Sequence, residues 1–190
     1  RTGAITPVAN LEPISLAGTI VKRASLHNSN EIARLDLHEN DLVTLEKGGE
    51  IIPKITHINK EERDSGALPV KYIDKCPECR SYLVRADGEA NHYCPNELGC
   101  TPQILGRITH FISRNALNIE SLGNKTIRGL IQKKLIKDVS DLYHLKFNQL
   151  NGLLLNSEED NKTRSLQKKS AENIIYAIEK SKEVSFELVL

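Results

Sequence analysis

The chain has 190 residues, 39% hydrophobic and 27% charged, enough for one large domain or two to three small ones with an ordinary soluble core. Net charge is +1 and no run of about 18 uncharged apolar residues occurs, so composition alone points neither to a polyanion partner nor to a membrane span. Residues 1–72 hold 9 Lys/Arg against 10 Asp/Glu, 73–104 hold 3 against 5, and 105–190 hold 14 against 10, so a footprint for a phosphate backbone is expected on the C-terminal half.

The chain opens Arg1-Thr2-Gly3-Ala4, with no initiator Met, no Met elsewhere and no apolar leader; the start reads as a cut inside a longer protein. Up to about Tyr72 the texture is strand-like: "ISLAGTIVKRASL", "DLVTLEKGGEIIPKITHI" and "ALPVKYI". Val43 and Leu45 alternate with Thr44 and Glu46, as in a half-buried strand. Lys47-Gly48-Gly49 suits a hairpin loop, because glycine tolerates positive φ. Pro53 places the following strand at an edge or a bulge, since proline cannot donate to a ladder. "SNEIARLDL" predicts one short helix capped by Ser29 or Asn30. Several short strands and one helix in about 72 residues fit a small barrel of the OB type.

Four cysteines follow as C-x2-C-x14-C-x5-C: Cys76, Cys79, Cys94 and Cys100. Each pair can reach one ion from its own turn, and Cys-Pro-Glu-Cys has the shape of a zinc knuckle. About 30 residues with few large apolar side chains cannot build a core, so metal–thiolate bonds would replace it. Four thiolates close the coordination sphere, which predicts one structural Zn²⁺. Two disulfides, a thioredoxin-like C-x-x-C pair or free buried thiols are the competing readings, and none has a secretion signal or a βαβ setting to support it. His92 lies near Cys94 but is read as a surface residue, because the cysteines complete the set.

From Ile104 onward the pattern is helical. Ile104, Ile108, Phe111 and Ile112 recur at helical spacing in "PQILGRITHFISR", "NKTIRGLIQKKLI" follows Gly123, and Ile174, Ile175 and Ile178 share a face of "KKSAENIIYAIEKSK". The polar stretch Asn156–Lys169 reads as a mobile loop. "NIESLGNKTIRGLIQ" fits a helix-hairpin-helix element: Leu122-Gly123 makes the turn, and Lys125 opens the next helix where backbone N–H groups can grip phosphate. An ordinary helical corner with a glycine turn is the competing reading. No aromatic occurs in residues 1–71, which disfavours a stacking platform for unpaired bases. "RADG" (Arg85–Gly88) has the outline of a K-x-D-G nucleotidylation motif, but a guanidinium stays protonated and is a poor nucleophile; the segment reads as a hairpin turn. No catalytic residue is assigned.

"RTGAITPVANLEP", "ASLHN", "GGEIIPKI", the cysteine spacing, "HFISRNALNIESLG" and "KKSAENIIYAIEKSK" together resemble, in order, the post-catalytic half of bacterial NAD⁺-dependent DNA ligases. The resemblance implies a multi-domain α+β chain: an OB-fold β-barrel over 1–72, a four-Cys zinc finger over 73–104, and the N-terminal part of a helix-hairpin-helix region over 105–190. It implies a DNA-clamping fragment of an enzyme that seals 5′-phosphate/3′-hydroxyl nicks in duplex DNA during replication and repair. NAD⁺ and Mg²⁺ would be bound mainly by other domains, including an adenylation domain of the same parent chain that carries the reactive lysine. A bacterial cytoplasmic, nucleoid-associated monomer with no membrane contact is expected.

Residue by residue, Arg1 and Thr2 match the family's "RTG" positions near the nick, and Ile51 and Ile52 match an apolar pair facing the minor groove. Lys47 stands where the family usually has Arg, keeping the charge without the two-pronged phosphate contact. Gly123 and Lys125 complete the expected DNA contacts. A second hairpin before "KSAENI" departs from the family pattern, because its glycines are replaced by "NSEEDNKTRSLQ"; Ser170 is left as the candidate cap. The alternatives are a zinc-containing OB module for single strands or a scaffold contact, and a basic helical half that is merely solvated.

Overall fold

A computed structural model describes residues 1–47, 53–156 and 163–185. Internal contacts divide the chain into two units, Thr2–Asn96 and Glu97–Leu190 together with Arg1, each described by itself.

In the first unit the strands are β1 (Ala4–Ile5), β2 (Val8–Leu16), β3 (Thr19–Ser25), β4 (Val43–Lys47), β5 (Pro53–Ile58) and β6 (His92–Tyr93), with helix α1 at Ser29–Leu35. The main sheet runs β2-β3-β5-β4. Ala17 and Gly18, with φ of +48° and +75°, close β2 onto β3 in a two-residue turn whose twist matches the strands. The register slips between Asn10 and Ile14, so Pro13 sits in an irregularity where its missing N–H breaks no ladder. β3 meets β5 in parallel at Ser25–Lys54, with α1 lying in the connection between them.

The apolar residues on one side close over a core of Ala24, Leu26, Ile32, Leu35, Leu37, Ile55 and Ile58. Val43 and Leu45 of β4 are half-buried and pack on it, while Thr44 and Glu46 are exposed, as the alternation predicts.

Three local expectations need correction. The cap of α1 is Asn28, not Ser29 or Asn30; its side chain accepts the Glu31 N–H (3.1 Å). Of the edge or bulge expected for the strand after Pro53, the edge is wrong: β5 is an inner strand and β4 the outer one, while their pairing does carry an irregularity between Thr44 and Leu45. Pro53 itself is the first residue of β5, where proline costs no ladder bond. "ALPVKYI" forms no strand. It runs beside residues 37–39 through Glu39 N–H to Leu68 O and Val70 N–H to Leu37 O (both 2.9 Å), with a single bridge at Pro69.

The second unit holds α2 (Thr101–Phe111), α3 (Asn124–Gln132), α4 (Phe147–Leu150), the ribbon β7–β8 (Leu154–Asn156 with Thr163–Ser165) and α5 (Lys168–Ser181). Ile104, Ile108 and Ile112 line one face of α2 and its cap, and belong to one buried cluster with Ile127 and Leu130 of α3 and Ala171, Ile174 and Ile178 of α5. Ile108, Ile127 and Leu130 are fully buried, each contributing about 1.5–3 kcal/mol by transfer out of water. The periodic run after Gly123 stops at Gln132. Lys134 turns at φ +57°, Leu135 N–H reaches Leu130 O (2.9 Å), and the reversed chain buries Ile136.

The stretch Asn156–Lys169 is not all loop: β8 and the start of α5 lie within it, and residues 157–162 are outside the described ones. The cap of α5 is Gln167, so Ser170 falls inside the first turn and does not cap. Among the described residues no helix is long and apolar enough to cross a membrane.

Candidate metal centre and nucleic-acid interface

The cysteine segment is folded by two tight turns. Arg80, at φ +61°, brings its N–H to Cys76 O (3.0 Å), while Cys76 N–H reaches Ser81 O (2.8 Å). Lys75 faces Tyr82 across a bridge, with its ammonium 4.6 Å from the ring centroid. Val84 exchanges both backbone bonds with Tyr93 (2.9 and 2.8 Å), which sets Cys94 at the end of β6. The predicted turn at Arg85–Gly88 is present, with Gly88 at φ +83° and Glu89 N–H on Ala86 O (3.1 Å). Arg85 is held by neutral partners, Ser29 Oγ (3.3 Å) and Asn30 Oδ1 (3.0 Å), which fits a tether rather than a nucleophile. Cys100 is the N-cap of α2, so the start of that helix fixes the position of the fourth sulfur.

The four Sγ atoms lie within 4.8 Å of one another. Cys76, Cys94 and Cys100 are buried and Cys79 is half-buried. A tetrahedral site with Zn–S of about 2.3 Å requires S···S edges of roughly 3.8 Å. The donor set therefore fits one ion after small shifts of both signs, since Cys79 Sγ and Cys94 Sγ stand 3.4 Å apart and other pairs reach up to 4.8 Å. Convergence of all four at one point argues against two separate bridges. The Cys79 thiol is lowered to about 6, chiefly by the Ser81 hydroxyl 3.4 Å away and then by the Ser81 backbone. Such a thiol supplies thiolate near neutrality.

His92 is not a surface residue. It pairs with Ile5 in the β1–β6 ladder, and its ring lies 4.5 Å from that of Tyr72. Its Nδ1 is buried with no hydrogen-bond partner among the described residues.

The expected DNA contacts are distributed over both units. Arg1 and Thr2 are exposed. Gly3, whose role the residue pattern did not reveal, is buried at φ +79° and accepts the Cys94 N–H on its carbonyl (2.8 Å). Lys47 ends β4 with Nζ donating to Thr19 Oγ1 (2.9 Å). Ile51 and Ile52 lie outside the described residues. Gly123 is the exposed N-cap of α3 and Lys125 is exposed in its first turn. The backbone of Arg1 approaches α2 so closely at Gly106 that a Cβ there would stand 2.8 Å from Arg1 N.

Comparison with known proteins covers the whole chain. Residues 1–67 match the NAD-dependent DNA ligase OB-fold domain, and residues 75–101 match the NAD-dependent DNA ligase C4 zinc finger domain. A DNA ligase of Flavobacterium johnsoniae is 54% identical over 190 residues, one of Phocaeicola vulgatus 55% and one of Bacteroides fragilis 53%. All of this chain is covered in each case, and it spans 27% of the length of each relative. The chain belongs to the NAD-dependent DNA ligase family, as a segment that carries its OB-fold and C4 zinc-finger domains.

Proposed function

We propose that this chain is the duplex-gripping segment of an NAD⁺-dependent DNA ligase that seals 5′-phosphate/3′-hydroxyl nicks in replication and repair. The observation that carries the reading is the order of matches, an OB-fold domain followed at once by four convergent thiols, within a chain similar over its full length to DNA ligases. The thiols would hold a closed structural Zn²⁺, which does no chemistry at the nick. NAD⁺, Mg²⁺ and the reactive lysine belong to the adenylation step of the parent chain; within these 190 residues no K-x-D-G occurs. The segment by itself is therefore expected to bind and not to ligate.

In this reading Arg1, Thr2 and Lys47 meet the DNA, with Ile51 and Ile52 at the minor groove. Residues 105–190 act as the start of a helix-hairpin-helix grip through Gly123 and Lys125. The geometry at Gly123 supports that role. Its φ of −84° suits any residue, and a Cβ would meet nothing within 4 Å. The chain's own packing does not require glycine there, whereas a phosphate backbone approaching the helix N–H groups would.

Titration of nicked duplex against oligo-dT tests the binding, and fusion to a family adenylation domain tests the enzyme. Preference for nicked duplex and NAD⁺-dependent sealing by the fusion are expected. A clear preference for the single strand would replace this reading with a single-strand-binding module.

A further inference from the structure

The first residues of the chain are held by the cysteine segment. β1 pairs antiparallel with β6, Ala4 opposite Tyr93 and Ile5 opposite His92. The ladder continues to Cys94, whose N–H donates to Gly3 O (2.8 Å). On the other side of β6, Tyr93 bonds Val84 in both directions through an isolated bridge, so β6 is held on both of its edges. Tyr72 fastens the same edge, its hydroxyl donating to Ile5 O (2.9 Å) and its ring packing on His92. One of the four sulfur-bearing residues thus binds the backbone next to Thr2 with its own amide. Gly3 sits buried at φ +79°, a conformation that side-chain-bearing residues adopt only with strain. Hydrogen bonds and dihedrals at Gly3 together leave Thr2 little freedom, although it is exposed.

We infer that the four-cysteine segment is the positioning element for Thr2 at the nick, acting through the Cys94 amide and the Gly3 carbonyl. The inference rests on the proposed role of Thr2 in DNA contact for its functional consequence, but not for its physical basis. Metal binding fixes Cys94, Cys94 fixes Gly3, and Gly3 fixes the residue before it. A β1 of two residues cannot stay ordered without this partner, because an isolated pair of short strands is marginal in water.

Two measurements test it. Hydrogen exchange on this chain, with zinc bound and after chelation, should show residues 2–5 losing protection together with 92–94, while β3 and β5 keep theirs. Protection of residues 2–5 that survives chelation would overturn the inference, whatever the DNA does. In the intact parent ligase, Gly3→Ala should retain one zinc per chain yet lower the rate of nick sealing about tenfold or more, as expected for ångström-scale misplacement of a contact. Thr2→Ala should then cost activity in the parent background and almost nothing further beside Gly3→Ala. Fully additive losses would overturn the positioning role. A silent Thr2→Ala with the exchange result intact would instead remove Thr2 from the proposed DNA contacts.

Discussion

The guanidinium of Arg63 clasps the carboxylate of Asp41 with two donors, Nε to Oδ1 at 2.8 Å and Nη2 to Oδ2 at 3.1 Å. The Asp41 carboxylate is 1% exposed and also accepts the His38 N–H (2.7 Å). From the same guanidinium, Nη1 reaches Asp36 Oδ2 (3.2 Å) and Nη2 reaches Asp36 O (2.7 Å). One side chain thereby ties the end of α1 to the loop that leads into β4.

Removing that tie should destabilise the barrel. Arg63→Ala leaves the Asp41 carboxylate buried with only the His38 amide, so the thermal midpoint should fall. Arg63→Lys should recover only part of the loss, because an ammonium cannot make the parallel pair. Calorimetry on the three proteins decides it; full recovery by lysine would show that charge alone is needed.

Acid should weaken the same corner. The Asp36 carboxyl lies below the usual carboxylate range, chiefly through its hydrogen bond from Lys60 and then that from Arg63. A carboxyl depressed in the folded state contributes stability above its ordinary value near 3.8, and that contribution is lost as pH falls through the folded value. Asp36→Asn, which still tolerates the left-handed φ of +52° at this helix cap, should flatten the decline in midpoint below about pH 4. An unchanged acid profile would remove Asp36 from the account. The expected slope is small, since both partners are exposed.

Metal analysis should give one zinc per chain, released as acid protonates the thiolates. Cys76→Ser should lose the ion and loosen residues 75–103. Loosening should extend to residues 2–5 through the β1–β6 ladder, while the main sheet, closed by Ile55 and Ile58, stays folded. Full zinc occupancy in Cys76→Ser would exclude Cys76 as a ligand.

Gly123→Ala should separate binding from folding. At an exposed helix N-cap in ordinary φ, alanine should lower stability by no more than about 1 kcal/mol. Affinity for nicked duplex should nonetheless fall, because the added methyl meets the phosphate backbone. Equal affinity would leave this turn an ordinary helical corner.

Lys47→Ala should weaken duplex binding and reduce the slope of log affinity against log salt by about 0.9, the value for one phosphate contact. The mutation also removes the bond to Thr19, so Thr19→Val is the control; it should leave the salt slope unchanged.

The legible parts of the chain are those where chemistry or period is local. The cysteine spacing, the alternation of Val43 and Leu45, and the repeat of Ile104, Ile108 and Ile112 each announce their structure within a few residues, because ligand geometry and helical or strand period act at that range. Pairing partners are not legible in the same way. Pro53 reads as the mark of an edge strand, but its position at the first residue of β5 removes the conflict. Tyr72 and His92 carry no motif, and only folding places their rings against each other.

The sequence by itself determined the metal centre and its donor set, since four thiols at this spacing admit few other arrangements. Tertiary structure alone decided that Gly3 lies on Cys94, and hence that this centre reaches the start of the chain. Residues 91 positions apart are joined by a backbone hydrogen bond, and such bonds use groups that every non-proline residue carries, so no side-chain pattern records them.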